Sequence, residues 1–241
     1  SLLALLSSTF FSTQTFAAEC ETGTVPVTGC RIEVSDITYT LTGDITSGPE
    51  GAGIYFASEN AIVNYTGAIS VSTVGVGFDN NDDNNTLNMT GNITTTGNGS
   101  YGIYYRFSDN NILNLTGNII TANTLGIGIL DQGSSSNTSV VDGDITTTGE
   151  TGYGIAIDNS NLSNHTLSGN ITTAGLRAHG IYLLTGSESN TINMTGDIRI
   201  TAGAVGSYGI YFRFNDNNIL NLTGNIITAN TDGVGVLEQG S

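Results

Sequence analysis

Apolar and polar side chains alternate along most of this chain, in short segments. Leu87, Met89 and Ile93 stand at alternate positions of one such segment. Polar Asn88 and Asn92 stand between them. A period of two is typical of a β-strand with one buried face, and no window has the i, i+3, i+4, i+7 apolar spacing of an amphipathic helix. The pattern therefore predicts many short strands separated by turns, and no helix.

The strand pattern recurs as one unit that carries two markers. The first is a Gly followed by Asn, Asp or Ala and then by Ile, and it begins at Gly43, Gly67, Gly91, Gly117, Gly143, Gly169, Gly196 and Gly224. Successive first markers are 24 to 28 residues apart. The second is a Gly, then Ile or Val, any residue and another apolar residue, and it begins at Gly53, Gly75, Gly102, Gly126, Gly154, Gly180, Gly209 and Gly233. These markers indicate eight copies of one structural repeat.

In addition to this repeat, the chain contains a longer duplication. Residues 101–130 and 208–237 are 107 positions apart and differ at only five of thirty positions. This offset equals four units. A block of four units has therefore been copied within the chain.

A unit of this length, with two or three strands and no helix, suits one coil of a right-handed parallel β-helix, an all-β solenoid. About eight coils stacked at about 4.8 Å would form a rod of roughly 38 Å. Each coil buries its apolar side only against its neighbours. A leucine-rich repeat is the main alternative, because LNLTGNI at 113–119 matches part of its core. Four other units have Asp44, Ala68, Asp144 or Asp197 at the position of its Asn, and its upstream Leu and its helical segment are missing. We expect one interior ladder made of Ile54, Val76, Ile103, Ile127, Ile155, Ile181, Ile210 and Val234.

The N-terminal residues 1–17 differ from the repeat. They contain the apolar run Leu2–Leu6, followed by small residues up to Ala18. This order is typical of a secretory signal peptide, here without its N-terminal charged region. A buried apolar segment is one alternative, and a lipoprotein anchor at Cys20 is another.

Two cysteines follow the predicted signal peptide. Cys20 and Cys30 enclose nine residues, and in an exported protein such a pair is expected to form a disulfide. Two free thiols are the alternative. We therefore predict an N-terminal cap at residues 18–40 and a β-helix at residues 41–241, which ends in the middle of a unit.

Charge limits the classes of partner. The formal net charge is −16, with 21 acidic residues against five basic ones, all of them Arg. Such a surface repels DNA, RNA and anionic lipid, so a nucleic-acid partner is not expected. No segment after residue 20 is apolar enough to span a membrane. The chain also has no Walker loop, dinucleotide fingerprint or paired His with metal spacing, so no cofactor is expected.

The signal-like start, the short Cys loop and the degenerate Gly-Asn-Ile-Thr and Gly-Ile-Tyr coils of residues 41–241 resemble the passenger region of autotransporters. These are surface proteins that Gram-negative bacteria secrete by the type V route. The resemblance implies export, passage through a C-terminal outer-membrane barrel, and either display at the cell surface or release. It also implies adhesion or autoaggregation, with a host-cell or bacterial surface protein, a glycan or another copy of the chain as partner. The sequence ends mid-unit at VLEQGS, so we expect the natural protein to be longer.

Carboxylates are the only candidates for catalysis. Two acids facing one cleft are what a glycosidase needs. Candidate acids are Asp79, Asp82, Asp83, Asp109, Asp131, Asp158 and Asp216. Most follow the Gly-Ile strand, where a recurring acid favours turn capping over catalysis, so we assign no catalytic residue. The segment 79–85, DNNDDNN, makes Asp79, Asp82 and Asp83 weak candidates for a Ca²⁺ site, but a solvated loop is the favoured interpretation.

Tyrosines mark one possible ligand-facing surface. By parity, the outward residue after each Gly-Ile pair is Tyr55, Gly77, Tyr104, Gly128, Ala156, Tyr182, Tyr211 or Gly235. Exposed rings at Tyr55, Tyr104, Tyr182 and Tyr211 could stack on sugars or pack against a protein. Alternatively, each ring covers its small neighbour in the next coil. His165 and His179 are expected on the surface and not as ligands.

Three functions remain open at this stage. The first is a non-catalytic, surface-displayed passenger that acts in adhesion or autoaggregation. The second is a structural stalk for a distal module, and the third is a carbohydrate-active β-helix enzyme of the polysaccharide lyase or glycosidase type. Near-uniform coils favour the first two, because a catalytic site must break the repeat.

Overall fold

A computed structural model of the chain describes residues 19–46, 52–79, 82–122, 124–201, 206–214, 216–229 and 233–240. These residues form twenty-five β-strands in three parallel sheets, and none of them is helical. The predicted parallel β-solenoid is therefore confirmed. Within the same ranges, no helix has the length and apolar character needed to cross a bilayer. The predicted signal peptide at residues 1–17 lies outside the described residues.

Each sheet collects one strand from successive coils. Sheet A contains β2 (Cys30–Ile32), β4 (Ile54–Phe56), β7 (Val74–Asp79), β10 (Tyr101–Arg106), β13 (Ile127–Gln132), β16 (Tyr153–Asp158), β19 (His179–Leu183), β22 (Tyr208–Arg213) and β25 (Val234–Gln239). Sheet B contains β1 (Gly23–Thr24), β3 (Thr38–Thr42), β5 (Ile62–Thr66), β8 (Thr86–Thr90), β11 (Ile112–Thr116), β14 (Thr138–Asp142), β17 (Asn164–Ser168), β20 (Thr191–Thr195) and β23 (Ile219–Thr223). Sheet C contains β6 (Ile69–Val71), β9 (Ile93–Thr95), β12 (Ile119–Thr121), β15 (Ile145–Thr147), β18 (Ile171–Thr173), β21 (Ile198–Ile200) and β24 (Ile226–Thr228). From β5 onward the chain passes through sheets B, C and A seven times, against about eight coils expected.

The first sequence marker forms the turn from sheet B to sheet C. Gly117 has a φ of 151°, and a Cβ there would lie 2.1 Å from the carbonyl oxygen of Gly91 in the preceding coil. No side chain can be placed so close to a backbone oxygen. Coil stacking therefore requires glycine at this turn.

The interior holds ladders of aliphatic side chains with an aromatic section. Leu87 and Leu113 pair in sheet B, and both are fully buried. In sheet A the rings of Phe56, Phe78 and Tyr105 stack with centroids 4.5 and 4.9 Å apart. Because the inward positions of all three sheets meet in one narrow core, each coil is sealed by the coils on either side.

The predicted ladder is correct at six positions and wrong at two. Ile103 pairs with Ile129 and not with Ile127, and Ile210 pairs with Val236 and not with Val234. The sequence Gly-Ile-Gly-Ile of residues 126–129 contains the Gly-Ile start of the second marker twice, in registers two residues apart. Parity is the same in both registers, so alternation alone cannot distinguish them.

The segment predicted as a cap takes part in the stacking. Strand β2 pairs in parallel with β4, and β1 pairs with β3. Cys20 and Cys30 form a disulfide. Parallel pairing thus begins on the N-terminal side of residue 41.

Candidate functional site

The four predicted tyrosines lie on the outer side of sheet A, but two of them are not exposed. Tyr104 and Tyr182 belong to an apolar cluster separate from the core and are only 5% and 6% exposed. The expectation of open rings is therefore wrong for these two residues, whereas Tyr55 and Tyr211 are half-buried. A Cβ on Gly77 would lie 3.1 Å from the Tyr55 ring, so this ring covers its small neighbour.

The register error also changes the neighbours of these tyrosines. Tyr104 pairs with Leu130, and Tyr211 pairs with Leu237, where Gly128 and Gly235 were expected. Leu130 is 1% exposed and packs in the same outer cluster. Leucines therefore stand where glycines were expected, and this outer face is more continuously apolar than predicted.

His179 is the centre of an aromatic stack on this face, and the expectation that it lies free on the surface is wrong. Its ring lies between those of Tyr153 and Tyr208, with centroid distances of 5.3 and 5.1 Å and nearly parallel planes. The backbone N–H of Tyr208 donates to Nδ1 of His179 at 3.1 Å. Burial lowers the pKa of His179 to about 4, so the imidazole is neutral at pH 7.

The way in which the tyrosine rings stack on one another limits what this face can bind. The rings of Tyr182 and Tyr211 lie 5.0 Å apart at an interplanar angle of 3°, so each covers a face of the other. Stacking on a sugar needs an open ring face. The Tyr104 hydroxyl donates to Oε1 of Gln132 at 2.8 Å. Ring edges, hydroxyls and amides are therefore the groups available to a partner, which suits protein contact better than sugar stacking.

A buried polar cluster lies inside the tube, where side chains from β10, β13, β14 and β17 meet. Nε2 of His165 lies 3.4 Å from Oδ2 of Asp131, and the two side chains are 1% and 0% exposed. The Tyr105 hydroxyl and Oγ of Ser139 are 2.9 Å apart. Burial raises the pKa of Tyr105. Asp131 was expected in a turn and His165 on the surface, and both expectations are wrong.

The other candidate carboxylates take part in turn structure. Oδ1 of Asp83 accepts the N–H of Asp109 at 2.6 Å, and Oδ1 of Asp109 accepts the N–H of Ser135 at 2.7 Å. Asp158 accepts a bond from Gln132 at 3.0 Å, and burial raises the pKa of this carboxyl group. These side chains bond to the next or preceding coil.

The remaining candidate acids lie at the end of a strand of sheet A or on the turn that follows such a strand. Asp79 ends β7, Asp82 is half-buried and Asp216 is exposed on the turn that follows β22. The described residues contain no group of three or more His, Cys, Asp or Glu side chains suited to one metal ion.

Buried asparagines form a ladder along the turn from sheet A to sheet B. Oδ1 of Asn111 accepts the N–H of Asn85, and Oδ1 of Asn137 accepts the N–H of Asn111, both at 2.9 Å. Nδ2 of Asn137 donates to the carbonyl of Ser108 at 2.8 Å. Asparagine side chains commonly cap their own turn. Instead, they satisfy the backbone of the adjacent coil.

Sequence reasoning also missed three bulky residues on this same turn. Phe107 and Phe214 follow β10 and β22, and Leu162 lies between β16 and β17. All three are exposed and have positive φ angles. The signal was present in the repeat, since other coils have Gly133, Asn159 or Gly186 where these two have Phe.

The fold and its outer surfaces define a parallel β-helix protein with repeated outward ladders. Residues 19–195 match the sequence profile of the family described as periplasmic copper-binding protein (NosD). Because this match spans well over half of the chain, the protein belongs to the NosD family, and it is an exported β-helix protein. Searches of curated proteins and of solved structures give no significant match.

Proposed function

We propose that this protein is a non-catalytic rod, displayed at the cell surface, that acts in adhesion or autoaggregation. Its partner is a protein or glycan of a host-cell or bacterial surface, or another copy of the chain. The resemblance to autotransporter passengers supports surface display, whereas family membership speaks only for export.

The observation that carries the proposal is the fixed polar surface of sheet B. Nδ2 of Asn88 donates to Oδ1 of Asn64 at 2.9 Å, and Nδ2 of Asn114 donates to Oδ1 of Asn88 at 2.8 Å. Asn193 and Asn221 repeat the contact farther along the rod. Side chains that are already ordered lose little entropy on binding. A long face of such groups is suited to contact with another surface over many coils.

The state of the carboxylates argues against the enzyme alternative. A glycosidase needs two carboxyl groups that face each other across a cleft open to substrate. Asp83 and Asp109 each accept a backbone N–H of the adjacent coil, and Asp131 is sealed inside the tube. Asp83 and Asp109 therefore bond to the backbone of the solenoid, and Asp131 is closed off from any substrate.

Copper binding, which the name of the family raises, does not fit the donors of this chain. Copper sites use imidazole, thiolate and thioether ligands. Both cysteine sulfurs are in the disulfide. Of the two histidines, His179 is packed between two tyrosine rings and His165 is sealed inside the tube. Met89 and Met194 are four coil steps apart on sheet B. We therefore do not propose copper binding.

The stalk remains the second candidate, because the coil repeats with nearly constant register from β5 to β25. The adhesin and the stalk can be distinguished by displaying the chain on a bacterium that by itself neither settles nor adheres. Adhesion predicts faster settling of the cells, or attachment to epithelial cells or to a glycan array. A stalk predicts neither.

A matched pair of variants tests which face is used. Replacing Asn88 and Asn114 by Lys changes the sheet B surface, and replacing Thr146 and Thr172 by Lys changes the outer face of sheet C equally. Loss of attachment only with the first pair supports the proposal. Displayed wild-type protein without any attachment would contradict it.

A further inference from the structure

Three exposed apolar residues lie on the turn from sheet A to sheet B. Phe107 and Phe214 are each 47% exposed, and Leu162 is 64% exposed. We call these three residues the corner line. Its two ends are equivalent positions of the duplicated block. Leu162 lies two coils from each and three residues farther along its turn, at the position of Asn110 and Asn217. The ends are about 19 Å apart, as four steps of about 4.8 Å require.

Local conformational preference does not explain these residues. Phe107, Leu162 and Phe214 have φ angles of 50°, 59° and 50°, in the left-handed region. Bulky side chains are disfavoured there, whereas Gly and Asn are tolerated. At the positions equivalent to Phe107, other coils have Gly133, with φ of 66°, and Asn159, with φ of 52°. Strained residues that persist on a surface point to a function of that surface.

Core packing does not explain them either. Phe107 and Phe214 lie over Gly133 and Gly240 of the next coil, on the outside of the tube. Each of the two Phe residues remains nearly half exposed to solvent. The two rings therefore present a repeated apolar contact to something outside the chain.

Charge around the corner line indicates what that partner is. The Arg106 guanidinium lies 5.7 Å from the Phe107 ring centroid, and that of Arg213 lies 5.8 Å from the Phe214 ring. Arg106 and Arg213 end β10 and β22, before the rings, whereas Asp109 and Asp216 come two residues after the rings, in the turn. Each end thus has the lateral order cation, ring, anion. Two of the five Arg residues of this acidic chain are placed in these two corners.

We infer that two copies of this chain pair side by side and in parallel along the corner line, related by a two-fold axis that runs along the rods. This operation reverses the lateral order on the partner, so each Arg faces an Asp beside the contacting rings. An antiparallel pair keeps the lateral order and sets Arg106 opposite Arg213 of the second copy. Like charges then face each other, which disfavours that arrangement. The inference specifies one partner that the proposed function names, another copy of the chain. Its test is dimerisation of the purified chain, so it can fail while adhesion to another surface stands, and it can hold while adhesion fails.

The contact is small, so the pair is weak in solution. Two rings and one Leu per copy bury less than the roughly 1,200 Å² that is typical of stable complexes. Rods held on one surface would pair far more readily, because their effective concentration reaches about the millimolar range.

Sedimentation of the purified chain over a wide concentration range is the first test. Wild-type protein should show a reversible monomer–dimer equilibrium. Replacing Phe107 and Phe214 together by Asn should weaken dimerisation by at least about tenfold, while the melting temperature stays the same or rises. Asn is compatible with the backbone there, as Asn159 demonstrates, so the variant is expected to fold.

The control uses the same duplication on another face. Ile120 and Ile227 lie outward on sheet C, four coils apart, and each is 38% exposed. Replacing both by Ser should leave dimerisation unchanged. A monomeric wild type, or equal weakening by both variants, overturns the inference.

Cross-linking with a short bismaleimide tests the orientation. In a parallel pair, Phe107→Cys chains cross-link with one another, since each residue lies near its own copy. In an antiparallel pair, Phe107→Cys links only to Phe214→Cys on a second chain. Cross-linking in a sample of Phe107→Cys chains alone supports the inference. Cross-linking only in a mixture of Phe107→Cys and Phe214→Cys chains overturns it.

Discussion

The backbone N–H of Tyr208 donates a hydrogen bond to Nδ1 of His179, one coil earlier, at 3.1 Å. This bond requires an unprotonated Nδ1. Together with the tyrosine rings on both faces of the imidazole, it favours neutral His179 in the folded protein. The protonation state of one outer residue is thereby coupled to the pairing of two coils.

Acid should therefore destabilise the rod through His179. Its folded pKa, about 4, lies below the unfolded value of 6.5, so the unfolded chain binds more protons between these values. Stability from this residue is complete above pH 6.5 and is lost as the pH falls towards 4. The expected loss is about 2–3 kcal/mol at pH 4.5. Urea unfolding of wild type and His179→Phe at pH 7.5 and 4.5 measures it. Parallel pH profiles for the two proteins would refute this coupling.

The buried pair His165 and Asp131 should behave differently from a surface salt bridge. Replacing Asp131 alone by Leu leaves His165 without a partner inside the tube and should cost about 3–5 kcal/mol. Replacing both by Leu restores the aliphatic ladder and should be neutral or stabilising. A double-mutant cycle from urea titrations gives the coupling. Additive losses in the double variant would contradict the prediction.

One position of the asparagine ladder holds a serine, so the contribution of the ladder to stability can be tested there. Ser163 accepts the N–H of Asn137 at 3.2 Å, where the other coils use an asparagine amide. Ser163→Asn should stabilise the rod by about 1 kcal/mol, and Asn111→Ala should destabilise it by about 2 kcal/mol, because a buried N–H loses its acceptor. Asn114→Ala, on the outer face, is the matched control. An equal cost at Asn111 and Asn114 would show that burial of the ladder is irrelevant.

Removing the hydroxyl of a buried threonine in sheet C should stabilise the protein, whereas removing a ladder asparagine should destabilise it. Thr95, Thr121 and Thr147 are aligned and fully buried, and their hydroxyls have no hydrogen-bond partner. Val71 and Ile200 occupy the same interior row. Thr121→Val keeps the shape and removes a buried hydroxyl, so it should stabilise by about 1 kcal/mol. Thermal unfolding measures this, with outward Thr146→Val as control. A lower melting temperature for Thr121→Val would contradict it.

The sequence predicted the fold because parity and repeat length are local properties. The prediction failed at residues 126–129, where two registers share one parity. Because of this error Asp131 was expected in a turn, whereas its side chain lies inside the tube. His165 has the same parity as Leu167, so alternation could have placed it inside. The prediction placed it on the surface instead. The partial burial of the tyrosines depends on contacts between coils, which the order of residues in one coil does not reveal.

The copied block of four coils has a consequence for how this molecule changes over generations. Two long, nearly identical stretches of a gene are sites of unequal recombination, which adds or deletes the segment between them. Because every coil presents the same cross-section to the next, such an event would join without a mismatch. The reach of the rod could therefore change in steps of about 19 Å while its lateral surfaces stay as they are.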